Sequence, residues 1–344
     1  MKNHSRVAII ILNWNGLDLL REYLPNIIQH SKGAEIIIAD NGSTDDSLSF
    51  LNDNYPEIRI IDNKENLGFA GGYNKALSQV ESEFYIVLNS DIKVGPNWIS
   101  PIIELMDSNS EIAIAQPKIL SLLEPNKFEY AGASGGFIDY LGYPFCRGRL
   151  FETLEEDLSQ YDDPRECFWA TGAAMFIRSK VFHKLGGFDA EFFAHQEEID
   201  LCWRAHNRGY KVYVCPSSKV YHLGGGTLNK TSPLKTYLNF RNNHYLLYKN
   251  HPVKTYKKIY RKRLILDIIA SFTFLLKGNY KEFKAVYSAL RDFRKNRDKL
   301  FKERNTQNIE APNIYPKSLL FDYHFLRNKT FDKLRSSKAS TRPS

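Results

Sequence analysis

Through its first third the chain alternates short apolar runs, each closed by a polar turn, with longer segments whose apolar residues recur at helical spacing. The runs predict strands over 7–13, 35–40, 58–61, 84–88 and 112–116. The segments between them predict helices over 17–29, 45–54, 71–80 and 97–106, and Pro96 suits an early helical position of the fourth. Strand and helix in strict alternation require crossovers, so the expectation is an α/β fold with a mostly parallel sheet flanked by helices on both faces. At 344 residues there is room for one large domain with an appendage, or for two domains.

The rhythm breaks over 117–170, where Gly132, Gly135, Gly136, Gly142 and Gly148 among aromatics predict hairpins and a mobile loop. A strand is expected over 171–178, then a short helix over 179–185 ending at Gly186-Gly187. Another helix follows over 196–207, then two short strands at 211–215 and 219–222. Beyond Pro233 the spacing is helical to about Lys302, with interruptions near Pro252 and Gly278-Asn279. The expected organisation is an α/β body over 1–232, a basic amphipathic helical module over 233–305, and a C-terminal extension over 306–344 whose polar end from Ser336 is disordered.

Charge sharpens that division. Residues 249–305 hold 17 Lys and Arg against 5 Asp and Glu, a net of +12, which leaves the remainder at 30 against 34, or −4. Basic residues flanking Tyr, Phe, Leu and Ile over 237–302 predict a helix lying on an anionic membrane surface; a solvated basic face packed on the body is the alternative. No nucleic-acid-binding motif accompanies the charge, so a nucleic-acid partner is not expected. The longest apolar stretch, 264–276, contains Asp267 and is too short to span a bilayer, and 7–12 is too short for a signal peptide. Cys146, Cys167, Cys202 and Cys215 show no paired spacing, so reduced cytoplasmic thiols are expected. The expected location is the cytoplasm, peripheral on the inner face of the plasma membrane.

The chemistry-bearing residues gather where strands should end. Ile36-Ile37-Ile38-Ala39 runs into Asp40-Asn41-Gly42-Ser43-Thr44-Asp45, and Phe84-Tyr85-Ile86-Val87-Leu88 runs into Asn89-Ser90-Asp91. Ligands of open α/β sheets sit off the carboxyl ends of strands. A carboxylate at Asp40 suits the N3–H of uracil or thymine, or else a helix cap. Asp91 suits a hard divalent cation bridging two phosphate oxygens, or else a turn. Asn66-Leu67-Gly68-Phe69-Ala70-Gly71-Gly72-Tyr73-Asn74 is a glycine-rich helix entry that admits a sugar or phosphate, or close helix packing. Glu197, Glu198 and Asp200 open a helix behind an apolar approach that would raise a carboxyl pKa, which fits a general base at Glu198 with Glu197 as competitor, or plain helix-dipole stabilisation. Asp200 and Arg204 stand at i,i+4 and predict an internal pair. His222, ahead of Gly224-Gly225-Gly226-Thr227, suits a second metal ligand, or a local hydrogen bond.

In order and spacing these segments resemble the family 2 glycosyltransferases of GT-A fold, in particular the rhamnosyltransferase-like branch of bacterial surface polysaccharide synthesis. The resemblance rests on Val7 to Gly16, Asp40 to Asp45, Glu65 to Gly72 and Leu88 to Asp91. It continues through Thr171-Gly172-Ala173, Gly186 to Asp189, Glu197 to Arg204 and Val220-Tyr221-His222, and covers about residues 5–250. It implies inverting, metal-dependent transfer, with Mn2+ or Mg2+, from a UDP- or dTDP-sugar to a saccharide or lipid-linked acceptor. It further implies nucleotide-sugar binding by Asn13, Asn15, Asp40, Asn41, Gly68, Gly71, Asn74, Asn89 and Ser90. Asp91 and His222 would be the metal ligands, and Glu198 would occupy the base position beside Glu197. Two residues depart from the family pattern: Asn89 replaces the first aspartate of the common Asp-x-Asp, and Glu198 replaces the commoner aspartate. A sugar-nucleotide nucleotidyltransferase would carry a glycine-and-basic phosphate loop where this chain has Asn13-Trp14-Asn15-Gly16-Leu17-Asp18. A catalytically silent scaffold of the same fold is the third reading.

Overall fold

The computed structural model describes residues 5–224, 232–300 and 311–334. The expectations for Gly225 to Thr227 and for a disordered 336–344 lie outside these residues. Four βα units open the chain. Strands β1 (Val7–Asn13), β2 (Glu35–Asp40), β3 (Arg59–Asp62) and β4 (Phe84–Asn89) alternate with helices α1 (Leu17–His30), α2 (Ser47–Asn54) and α3 (Gly68–Leu77). A short β5 (Ile92–Val94), α4 (Ser100–Ser108) and a long β6 (Ile112–Ser121) follow.

The period-2 alternation of β1 sets the layers. Ala8 and Ile10 face one core with Ala70, Tyr73 and Leu77 of α3, whereas Ile9 and Ile11 face the other with Leu20, Leu24 and Ile27 of α1. Each buried Ile or Leu among them contributes roughly 1.5–3 kcal/mol by leaving water. Tyr73 ties the layers together, since its hydroxyl donates to the Leu88 carbonyl at 2.9 Å.

The middle of the chain forms a second, four-stranded antiparallel sheet: β7 (Gly136–Ile138), β8 (Pro144–Cys146), β9 (Arg149–Leu150) and β10 (Thr153–Leu154). The main sheet is then completed by β11 (Arg165–Cys167), β12 (Ala174–Arg178) and β13 (Lys211–His222), with α5 (Ser179–Leu185) and α6 (Glu197–His206) between the last two. Its order is β11-β13-β6-β12-β4-β1-β2-β3, with β5 on β13. Because β12 runs antiparallel to both β4 and β6, the latter two share a direction, and β13 is parallel to β6. Six strands therefore point one way, and their carboxyl ends share one edge.

Several boundaries differ from expectation for local reasons. Helix α3 starts at Gly68 instead of 71, and α4 starts at Ser100 with a proline in its first turn, so Pro101 takes the position expected of Pro96. The two strands expected at 211–215 and 219–222 are one strand, β13, with a register shift between Cys215 and Lys219. Strand β5 was not expected; three residues carry no periodicity of their own, and β5 is held by pairing with β13.

Helices α7 (Pro233–Asn250), α8 (Val253–Leu276) and α9 (Tyr280–Leu300) follow, and α10 (Leu319–His324) lies in the last described segment. That segment packs on the small sheet: Tyr315 N donates to Ile138 O at 2.8 Å, and the Phe331 ring lies tilted against Phe137 at 5.0 Å between centroids. Hydrogen bonds also cross the expected boundary at 232/233. Asn242 Nδ2 lies 3.0, 2.8 and 2.7 Å from the carbonyls of Phe192, Ala194 and His195, and Arg241 donates to Glu191 and Phe192 carbonyls at 2.8 and 3.0 Å. Asn242→Ala is expected to lower the unfolding free energy by about 1–3 kcal/mol, because buried carbonyls lose their donor. Urea denaturation checks it; an unchanged midpoint would show the clamp to be dispensable.

Candidate active site

Register brings polar residues into a row at the carboxyl edge. Asn13 pairs with Asp40, Asp40 with Asp62, and Asn89 stands beside Leu12. Asp40 is fully buried and saturated. Its Oδ2 accepts the Gly42 and Ser43 amides at 3.1 and 2.9 Å, and its Oδ1 accepts Ser43 Oγ at 2.6 Å and Asn13 Nδ2 at 3.0 Å. Asn15 fastens the same loop, its Oδ1 accepting the Thr44 and Asp45 amides at 2.7 and 3.3 Å. Asn41 Nδ2 donates to Asn66 Oδ1 and Gly68 O, both at 3.1 Å. Trp14 stands 46% exposed beside this row. Asp45 acts as a cap here, its Oδ2 accepting the amide of Leu17 at the start of α1 at 3.1 Å.

The glycine-rich entry to α3 is a packing device. Gly68 has φ +69°, and a Cβ there would lie 2.5 Å from the Phe193 ring and 2.6 Å from its carbonyl oxygen. This close approach lets Phe69 N and Ala70 N donate to Phe193 O at 2.8 and 3.3 Å. Gly71 packs on Leu67, and both polar atoms of the Asn74 side chain bind the Phe188 backbone, at 2.7 and 2.9 Å. Asn89 and Ser90 are half-buried, and their side chains make no hydrogen bond among the described residues.

Phe193 leads into the acidic pair through unusual backbone. Phe193 sits at φ 63°, ψ −61°, and His195 and Gln196 follow at φ 70° and 71°. None is glycine, so each conformation costs about 1–3 kcal/mol and must be held by its surroundings. The α7 clamp and the α3 start hold it. Glu197 is then 4% exposed and Glu198 half-buried, and each has an Oε2 with no hydrogen-bond partner. Burial pushes the Glu198 carboxyl up to about 7, against the pull of the backbone amides at the start of α6. Burial together with the neighbouring Glu198 pushes Glu197 well above the usual carboxylate range. His195 is held neutral, burial lowering its pKa to about 4.

Two residues on, Asp200 is in the opposite condition. Arg204 Nε donates to its Oδ2 at 2.7 Å, Asn250 Nδ2 to its Oδ1 at 2.7 Å, and Lys249 Nζ lies at 3.3 Å. Burial alone would raise its pKa, but Lys249 and Arg204 outweigh that and lower it. The expected Asp200–Arg204 pair is present within α6, and the contacts of Asn250 and Lys249 to the same carboxylate anchor α6 to α7.

The third cluster joins residues far apart in sequence. His222, at the end of β13, pairs with Ile92 of β5, so it faces the turn that carries Asp91. His222 Nε2 lies 3.1 Å from Asp91 Oδ1, and both side chains are buried. On the other side of the ring, Nδ1 lies 3.2 Å from Glu129 Oε2. Burial would lower the imidazole pKa; the two carboxylates prevail and hold it up to about 10. Gly224 is needed beside them, since at φ +70° a Cβ would lie 2.9 Å from Glu129 Oε1.

Among the described residues no three His, Cys, Asp or Glu side chains form a closed cage for a metal ion. The donor set nevertheless fits a divalent cation shared with a ligand. One carboxylate and one imidazole nitrogen converge, and Glu129 Oε2 stands 3.2 Å from the far nitrogen of the ring, on the side where a ligating histidine takes its outer partner. Sequence reasoning missed Glu129, which lies in an irregular segment and meets its partner 93 residues later in the chain. It also missed Asn242, whose role exists only through α7 packing.

Residues 8–186 match the family described as Glycosyl transferase family 2, which is more than half of the chain. An N-acetylglucosaminyl-diphospho-decaprenol L-rhamnosyltransferase of Mycobacterium tuberculosis is 26% identical over 205 residues, 54% of this chain and 66% of that protein. The low-salt glycan biosynthesis hexosyltransferase Agl10 of Haloferax volcanii is 26% identical over 245 residues, covering 69% and 73%. Among solved structures, S. aureus TarS 1-349 superposes with a TM-score of 0.56 at 17% identity, over 97% of this chain and 90% of that one. GalNAc-T7 with UDP, GalNAc and Mn2+ superposes with a TM-score of 0.54 at 18% identity, over 76% and 55%. The expected α/β architecture is thus the GT-A fold, and the chain belongs to glycosyl transferase family 2.

Proposed function

We propose that this protein is a metal-dependent, inverting glycosyltransferase that moves a sugar from a UDP- or dTDP-sugar to a saccharide or lipid-linked acceptor. The observation that carries the reading is the meeting of Asp91 and His222, 131 positions apart, at 3.1 Å on the carboxyl edge of the sheet. Relatives lend support to the finer points. The mycobacterial relative is named for a decaprenol-linked substrate, TarS has been solved with UDP, and GalNAc-T7 and a Pyrobaculum mannosyltransferase have been solved with Mn2+. Of the three readings open on sequence, family membership favours the transferase.

Asp91 and His222 Nε2 would hold a divalent cation, Mn2+ or Mg2+, with Glu129 orienting the ring through Nδ1. The ion supplies charge neutralisation for the departing diphosphate. In this reading Asp40 meets the pyrimidine N3–H, and the base replaces Ser43 Oγ as a partner of Oδ1. Asn13, Asn15 and Asn41 keep the loops of that subsite in shape. Asn89 and Ser90 offer free polar groups to the donor sugar or phosphates, and Gly68, Gly71 and Asn74 act by holding the loop that carries the acids.

Glu198 is the general base. Its carboxylate takes the proton of the acceptor hydroxyl as that oxygen bonds to the anomeric carbon. The bond from the anomeric carbon to the diphosphate oxygen breaks on the opposite face, and the configuration inverts without a covalent enzyme intermediate. Glu197, more deeply buried and pushed well up by burial and by the neighbouring Glu198, is the weaker candidate for the base.

Release of UDP or dTDP from a panel of donors, with and without Mn2+, tests the activity. Glu198→Gln is expected to lower kcat by about 10²–10⁴-fold while donor-induced thermal stabilisation persists. Asp91→Asn is expected to abolish both turnover and the Mn2+-dependent part of that stabilisation. Parental turnover in both variants would overturn the site. Because the base must be ionised, kcat should rise with pH through about 7, and Glu198→Gln should lose that inflection. A pH-independent parental kcat would exclude Glu198 as the base.

A further inference from the structure

One face of α8 changes character halfway along its length. Positions 254, 258, 261, 265, 269, 272 and 276 recur at intervals of three and four, so they form a single stripe along the helix, and all are exposed. The first three are Lys254, Lys258 and Arg261. The last four are Ile265, Ile269, Phe272 and Leu276, with 57%, 55%, 47% and 87% of their surface in water. The opposite face carries Tyr256, Ile259, Arg263, Asp267 and Ser271, all buried against the body. Amphipathicity therefore runs along α8 as well as around it.

The apolar half continues over the turn into α9. Tyr280 and Tyr287 are 63% and 42% exposed, and Phe283 bridges the two helices at 5.9 Å from Phe272 and 4.9 Å from Tyr287. Lys277, Lys281 and Lys284 rim this tip and are exposed. Among the described residues no helix is long and apolar enough to cross a membrane. Contiguous exposed apolar surface of this kind, rimmed by polar residues, marks an interaction site.

We propose that the α8–α9 hairpin is the surface by which the protein lies on an anionic lipid bilayer. Ile265, Ile269, Phe272 and Leu276 enter the acyl boundary, Tyr280 and Tyr287 rest at headgroup level, and Lys254, Lys258 and Arg261 lie along the anionic headgroups. Charge favours this occupant over a second copy of the chain. Parallel pairing of two such stripes sets Lys254, Lys258 and Arg261 against their own copies, and antiparallel pairing sets them against isoleucine and phenylalanine. An anionic bilayer offers negative charge and hydrocarbon at adjacent depths, matching both halves of the stripe. The inference adds to the lipid-linked acceptor of the transferase reading and is tested without it, since vesicle binding needs no turnover.

The test is sedimentation of the full chain with phosphatidylcholine vesicles, with or without phosphatidylserine, over a range of NaCl. Binding is expected only with phosphatidylserine and should weaken with salt. The Lys258→Glu/Arg261→Glu variant should bind at least about tenfold more weakly. The Ile269→Ser/Phe272→Ser variant should lose binding even at low salt. Thermal stabilisation by UDP and Mn2+ should match the parent in both variants, which reports separately on folding and on the nucleotide site. Equal binding of parent and variants, or equal binding to both vesicle types, would overturn the proposal. So would an absence of binding together with a dimer in analytical ultracentrifugation that Phe272→Ser dissociates, which would assign the stripe to contact between copies.

Discussion

The carbonyl of Phe193 is the joint on which the site depends. It accepts two amides from the start of α3, the helix whose preceding loop is bonded to Asn41 at the end of β2. The residues on either side are held by Asn242 of α7, and four positions further on come the two glutamates. One backbone oxygen thus couples the strand-end row to the acidic pair and to the helices that follow. The contact requires that residue 68 have no side chain, which gives the glycine-rich segment its physical purpose.

Helix α6 shows how burial can be used in two opposed ways within a single turn. Asp200 is surrounded by an arginine, a lysine and an asparagine, and its charge is fully answered. Glu197 and Glu198 are desolvated with unpartnered oxygens. A buried, unanswered carboxyl destabilises a fold, and two adjacent ones do so more. Strongly perturbed carboxyls of this kind cluster at functional sites. The saturated aspartate supplies the stiffness that keeps the neighbouring pair in place.

Much of this was legible in the sequence because parallel strands bury both faces and their ends carry polar turns. β1 and β2 match the expected limits, since apolar runs such as Ile36 to Ala39 stop at a residue that cannot continue a core strand. The grouping of Asp91 with His222 followed from placing both at strand ends. What was not legible depends on partners distant in sequence. Strand β5 exists only by pairing with β13, and Glu129 matters only because the His222 ring stands over it. The charge step near residue 249 divided composition correctly but concealed that α7 is bonded into the loop before the acids. Charge reports on surfaces, and that bond is internal. The alternation of basic and apolar character along α8 was hidden as well, because it emerges only when exposed positions are sorted from buried ones.

The left-handed run at Phe193, His195 and Gln196 confines its own sequence from two directions. A glycine at any of these positions would ease the backbone yet widen the range of shapes open to it, so that the two glutamates would no longer arrive at one fixed place. A β-branched residue would raise the conformational penalty until the clamps gave way. The segment keeps its form by being uncomfortable and outnumbered, and its tolerance for change is narrower than its position in a surface turn would lead one to expect.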